Sequence, residues 1–180
     1  MTGGKLMTIH FGDSTSQTTA ATGGAHVSSA IVAQWGSNGN GGTFSSGAWR
    51  TRTLNTEIAD PDGIVSLSNN QFTLGAGTYV LKYKAPAYNV DDHQTVIYNV
   101  TDGSYVTGSL GYNSHTWQND ATSSTSYGCV RLTISGSKAF ELRHQCDHTK
   151  SDNGFGRGNG YLGITPNDKQ LFAVVEIFKE

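Results

Sequence analysis

The chain has 180 residues, 36% of them hydrophobic and only 14% charged, with a formal net charge of -2. That length suits one domain with a real core, and the abundance of Gly, Ser, Thr and Asn suits an all-β protein with many turns. No basic run supplies the electrostatics of nucleic-acid binding, no stretch nears the roughly 18 to 20 apolar residues of a membrane span, and the N-terminus "MTGGKLMTIHFGD" lacks the apolar run of a signal peptide. The expectation is a soluble chain made in a cytoplasm, with no nucleic-acid partner and no membrane insertion.

Residues 1–47 are rich in Gly, Ser, Thr and Asn, a composition that buries little. They predict an extended N-terminal arm in which "KLMTIHF" and "AIVAQW" are short strands needing a partner surface; plain disorder is the alternative reading. Residues 48–180 form the domain. From Ala48 the period changes to two. "AWRTRTLN" alternates and ends at the turn around Pro61, Asp62 and Gly63. "IVSLS", an "NN" turn and "QFTL" follow, and "GAG" leads into "TYVLKYKAPAY". There Tyr79, Leu81 and Tyr83 face one side and Lys82 and Lys84 the other.

"QTVIYNV" reads as a strand apolar on both faces. After "SYVTGSLGY" and the polar "NSHTWQNDATSS", the strand "TSYGCVRLTI" alternates. "KAFELRHQC" places Phe140, Leu142, His144 and Cys146 on one face. The glycine-rich "NGFGRGNGYLG" follows, and "QLFAVVEIFK" closes the chain as an almost wholly apolar strand, expected at the centre of its sheet. About ten short strands without a 3.6-residue period argue for an antiparallel jelly-roll sandwich.

Catalytic chemistry finds little support. There is no G-x-S-x-G elbow. The carboxylates cluster at turn positions, where aspartates commonly satisfy their own backbone. A polysaccharide-degrading enzyme would need two of Asp91, Asp92, Asp147 and Asp152 to face each other across a groove, roughly 5–10 Å apart. His144, Cys146 and His148 alternate, but strand geometry spaces such residues by roughly 7 Å, too far for consecutive ligands of one metal ion. No cofactor or metal is expected. His144 is read as a hydrogen-bonded ring in or near a trimer core, and His93 as a turn or inter-subunit contact. Cys129 and Cys146 are free thiols or one cross-strand bridge. A phosphate-cradling loop at "NGFGRGNG" fails for want of a following helix, so its glycines read as freedom for a long connection, with Phe155 as its anchor and Arg157 as its exposed point.

The segment Phe72–Ala85, "FTLGAGTYVLKYKA", resembles the central signature of C1q and tumour-necrosis-factor-like jelly rolls, with Gly77, Tyr79 and Leu81 in the places of its G-x-Y-x-aromatic strand. Residues 52–180 also resemble jelly-roll domains of bacteriophage virion proteins. That likeness rests on Gly63–Ser68, Phe72–Tyr79, Ala85–Tyr88, Tyr98–Gly103, Phe140–Leu142, Asn153–Gly156 and Val175–Glu180. The resemblance implies a non-enzymatic homotrimer on a virion surface, assembled in the host bacterial cytoplasm, as a tail-fibre, receptor-binding module or a capsid decoration. Its arm, through Leu6, Ile9 and Phe11, would hold other virion proteins. Its loops would present Tyr112, His115, Trp117, Asn119, Asp120, Phe155 and Arg157 to a host glycan or protein. Trimer interface or core would take Tyr79, Tyr83, Tyr98, His144, Phe172, Val174 and Phe178.

Overall fold

The computed structural model describes residues 9–10, 12, 16–17, 27–37, 39–117, 120–158 and 169–180. Among these there is no helix. Two sheets form the domain. The larger has a main path through β10 (Ser104–Tyr105), β9 (Asp91–Asn99), β13 (Lys138–Cys146), β7 (Gln71–Leu74) and β6 (Val65–Ser68), with β11 (Ser114–Thr116) on β9 and β4 (Arg50–Thr51) on β13. The smaller runs β12 (Ser123–Ile134), β8 (Gly77–Tyr88), β14 (Lys169–Lys179), β3 (Ser28–Ser37) and β5 (Thr56–Ala59). A separate pair, β1 (Ile9–His10) and β2 (Ser16–Gln17), lies in the N-terminal region. Every pairing is antiparallel.

Alternation sets the layers. In the smaller sheet Leu81 lies across from Val130 on one side and Ile177 on the other, and all three are buried. In the larger sheet Phe140 pairs with Phe72, ring on ring at 5.6 Å, while Leu142 pairs with Ile97. These two apolar faces meet as one core. Asn69 and Asn70 both have positive φ, 52° and 63°, which is what a two-residue hairpin between β6 and β7 requires of its central positions. Asp60 holds the preceding turn by accepting the Ile64 and Val65 amides at 2.9 and 3.0 Å. As expected, β14 is central to its sheet.

The sandwich also takes in β3 and the segment after it, which lie before residue 48. Strand β3 pairs with β14 along its whole length and with β5 on its other side, burying Ala30, Val32 and Ala33. Segment 39–44 then interlocks with residues 150–156. The Gly41 and Gly42 amides donate to the Gly156 and Asp152 carbonyls, and Phe44 exchanges two backbone bonds with Lys150. Phe44 is fully buried, in a small second core with Ala87, Val90 and Cys146. A Gly/Ser-rich stretch thus gains its burial from partners distant in sequence. Of the anchoring residues expected in the arm, Leu6 and Phe11 lie outside the described residues, and Ile9 is in β1.

Candidate functional site

The first feature with unusual chemistry is interior. Arg52 is fully buried, and among the described residues none of its hydrogen-bond partners is a carboxylate. Its guanidinium donates to the Gln34 side-chain oxygen (2.8 Å) and to the carbonyls of Phe172 (2.8 Å), Phe155 (2.9 Å) and Pro86 (3.3 Å). It also lies 4.3 Å from the centroid of the Phe155 ring. Burial pulls its pKa down to about 9, which leaves it charged at neutral pH. Carbonyl dipoles and a π-face therefore replace a counter-ion, and in doing so they fasten β3, β8, β14 and the 153–158 loop to one point.

The network continues outward from there. Arg52 lies 3.4 Å from His144 Nδ1, His144 Nε2 is 2.9 Å from His93 Nδ1, and His93 Nε2 is 2.7 Å from the Ser124 hydroxyl. Both imidazoles are buried and both resist protonation. Burial and then the Arg52 charge push His93 down to about 4, although Asp92 partly opposes this. Burial, Arg52 and His93 lower His144. His93 is thus no turn residue: β9 carries it into the interior, where it partners His144. The strand parity that put His144 with Phe140 and Leu142 is correct, and the core in question is that of the protomer.

The supposed metal trio separates. Cys146 is buried, with burial and then Asp147 raising its thiol to about 12, while His148 is exposed past the end of β13. Cys129 and Cys146 are both free, the first exposed and the second buried. Among the described residues no three metal-ligating side chains cluster.

The glycines of the 153–163 stretch also read differently in space. A Cβ on Gly154 would sit 2.6 Å from the Lys150 carbonyl oxygen, and one on Gly158 would sit 2.3 Å from that of Gly39. Gly156 has φ 131°, and a Cβ there would sit 2.8 Å from the Phe172 ring. These three permit close packing rather than freedom. Phe155 is the anchor expected, stacked on Phe44 at 4.3 Å. Arg157 is half-buried against Tyr88, its guanidinium carbon 5.3 Å from that ring.

The outer faces of the sheets divide the remaining candidates. On the larger sheet Glu141 accepts from Thr51, Gln71 and Arg143, and Arg143 stacks on Tyr98 at 3.4 Å. Burial disfavours ionised Glu141, but these hydrogen bonds outweigh it and hold the carboxyl below its usual range. Glu141 is thereby fixed as a structural anion. On the smaller sheet the rows run Arg131–Val80–Phe178–Ser29, Cys129–Lys82–Glu176–Ile31 and Tyr127–Lys84–Val174–Ala33. Tyr127 and Leu171 are 53% and 44% exposed. Tyr127 stacks on Tyr112 at 4.6 Å, and this pair borders a groove of about 350 Å³ that shares Lys84 with a second of about 200 Å³. Among the described residues the two grooves are lined by one carboxylate, Glu176, so neither offers a pair for glycoside hydrolysis.

Tyr79, Tyr83, His144 and Phe172 therefore belong to the protomer interior, Val174 and Phe178 to the outer face of the smaller sheet, and Tyr98 to that of the larger. Tyr112, His115, Trp117 and Asp120 are exposed, and Asn119 lies outside the described residues.

Strand order, register and the shared core decide the architecture. The sandwich is a C1q/TNF-like jelly roll. Solved structures agree. Over 84% of this chain and 96% of the other, it superposes on the globular domain of zebrafish complement 1qA protein with a TM-score of 0.53 at 12% identity. Eiger TNF from S. frugiperda gives 0.56 at 11% identity over 86% and 92%, and murine APRIL 0.52 at 7% over 86% and 100%. At such identities the likeness is one of fold. No protein-family model matches the jelly roll, and no curated protein does.

Proposed function

We propose that this jelly roll is a non-enzymatic homotrimer displayed on a bacteriophage virion, with its N-terminal segment attaching it to the particle and its far end meeting the host, as in a tail-fibre or receptor-binding module. The observation that carries the trimer is the outer face of the smaller sheet. Val80, Phe178, Ile31, Val174, Tyr127 and Leu171 line it, two of them more than two-fifths exposed, and two joined grooves run across it. Such a face favours association with an identical face related by rotation. C1q and tumour-necrosis-factor-like domains are commonly homotrimers, and the virion likeness in residues 52–180 supplies the setting.

Light scattering on the purified chain at micromolar concentration should return three times the 19.2 kDa chain mass. Phe178→Glu should reduce this to a folded monomer, since it places a charge in the proposed contact. A wild-type mass of one chain would defeat the trimer. Removing residues 1–27 should leave the trimer intact but absent from particles in electron micrographs, and particles still decorated would defeat the attachment role.

A further inference from the structure

The rim at one end of the sandwich combines an exposed indole with a fixed set of polar groups. Trp117 is 63% exposed, yet its backbone is not loose: its amide donates to the Thr122 hydroxyl at 2.8 Å, and its carbonyl accepts the Asp120 amide at 3.2 Å. Thr122 is in turn tied to Asn89, whose side-chain oxygen accepts the Thr122 amide. The indole meets the His115 ring edge-on, at 4.9 Å and 89°. This contact supports one part of the indole and leaves much of its surface open. His115 Nδ1 lies 3.3 Å from Asp92 Oδ1, and the Asn113 amide donates to the same oxygen at 3.4 Å. Among the described residues no side chain donates to Asp92 Oδ2.

Asn113, His115 and Trp117 alternate along the chain and so share one side of it, while β11 is held in register against β9, His115 opposite Asp92. The group is therefore built on a strand pair rather than on a free loop, which fixes the spacing of its members. A flat apolar surface beside directional acceptors and donors suits a pyranose, which offers C–H groups on one face and hydroxyls around its edge. The carboxylate oxygen and the remaining amide capacity of Asn113 can take up those hydroxyls.

Charge narrows the ligand further. Asp92 is on the rim itself, Asp120 is bonded through its backbone to Trp117, and Asp147 donates its amide to the Asp92 carbonyl. The Asp92 carboxylate on the rim, with two further aspartates on the backbone segments bonded to it, opposes an added anion. We infer that the Trp117–His115–Asn113–Asp92 rim is a binding site for neutral saccharide, and that it discriminates against sialylated, uronate-bearing or phosphorylated glycans. The position suits display. Ser28 pairs with Lys179, which pairs with Tyr79 near the start of β8, whereas Thr122 and Ser123 lie beside Tyr88 and Asn89 at its other end. The rim is thus on the order of 30 Å along the strands from where the N-terminal segment enters the sheet.

The inference rests on the proposed display role for its biological meaning, but its test is separate from the oligomer's mass. The chain has three tryptophans, so its indole N–H groups give three NMR resonances, and Trp117→Phe assigns the relevant one. The probes are oligosaccharides of glucose, galactose, mannose and N-acetylhexosamine, alongside sialylated and uronate counterparts. At least one neutral probe should shift the Trp117 resonance saturably. Trp117→Ala should weaken binding by about tenfold or more with an unchanged melting temperature, and His115→Ala should weaken it less. Asp92→Asn should narrow the gap between neutral and acidic probes. The inference is overturned if no neutral probe shifts Trp117, if Trp117→Ala binds as well as wild type, or if acidic probes bind equally. A trimer that ignores sugars removes this site alone, and a monomer that binds them removes the trimer alone.

Discussion

Two halves of the same interior are built on opposite principles. Around Leu81, Phe140 and Ile177 the sheets meet chiefly through hydrocarbon, and the contact carries no group that titrates near neutral pH. Around Arg52 the space is filled by a guanidinium, an amide and two imidazoles, each satisfied by named atoms from several segments. The dry half supplies cohesion, and the polar half dictates which loops close on which strands. An apolar side chain at position 52 could fill volume, but it could not bind three carbonyls from three separate segments.

The strongest way to break the polar half is Arg52→Ala. It leaves the Phe155, Phe172 and Pro86 carbonyls and Gln34 without their donor, and the expected loss is about 4 to 5 kcal/mol in denaturant unfolding. Hydrogen exchange should show amides in 39–44 and 150–158 opening before the rest. Simultaneous opening of the whole sandwich would contradict the clasp assigned to Arg52. Phe140→Ala in the dry half should cost about 3 to 4 kcal/mol through lost burial and an unfilled cavity, and it should raise exchange in both sheets together. The pair of variants thus separates local from global failure.

The subtlest distinction is in pH. His93 is free to protonate near 6.5 when unfolded but only near 4 when folded, so the unfolded chain binds more protons between those values. This contribution to stability is complete above pH 6.5 and is lost as pH falls toward 4. His144, lowered by the same surroundings, acts in the same direction. The melting temperature should decline across that window, and His93→Gln should flatten the decline. An identical slope in wild type and His93→Gln would remove His93 from the account.

Much of the fold could be read from local pattern, and the exceptions share a cause. Period-two alternation revealed β8, β12 and β13, and the parity of Phe140, Leu142 and His144 correctly turned His144 inward. The Asn69–Asn70 turn followed from residue types that tolerate positive φ. The strand in "AIVAQW" was legible as one needing a partner surface, but its place in the sandwich was not: β14 and β5 supply that surface, and nothing local announces them. The same holds for the Arg52 clasp. Its partners, Gln34, Pro86, His144, Phe155 and Phe172, are dispersed over 139 positions of the sequence, and "AWRTRTLN" shows only a simple alternation. Glycines 154, 156 and 158 suggested slackness because a missing Cβ looks the same whether it grants motion or close approach. Of the rim, the sequence displayed the aromatics but not Asp92, which joins them only through the pairing of β11 with β9.

The antiparallel ladder of β3 on β14 has a mechanical consequence. If the chain is held by the residues before Ser28 and pulled from the opposite rim, the load runs along β3 rather than across it. Ladder bonds loaded that way are sheared together instead of peeled in succession, and the rungs from Ser28–Lys179 to Ser37–Lys169 share the strain. A tether entering at Ser28 can therefore transmit tension through the domain without first undoing the strand to which it is attached.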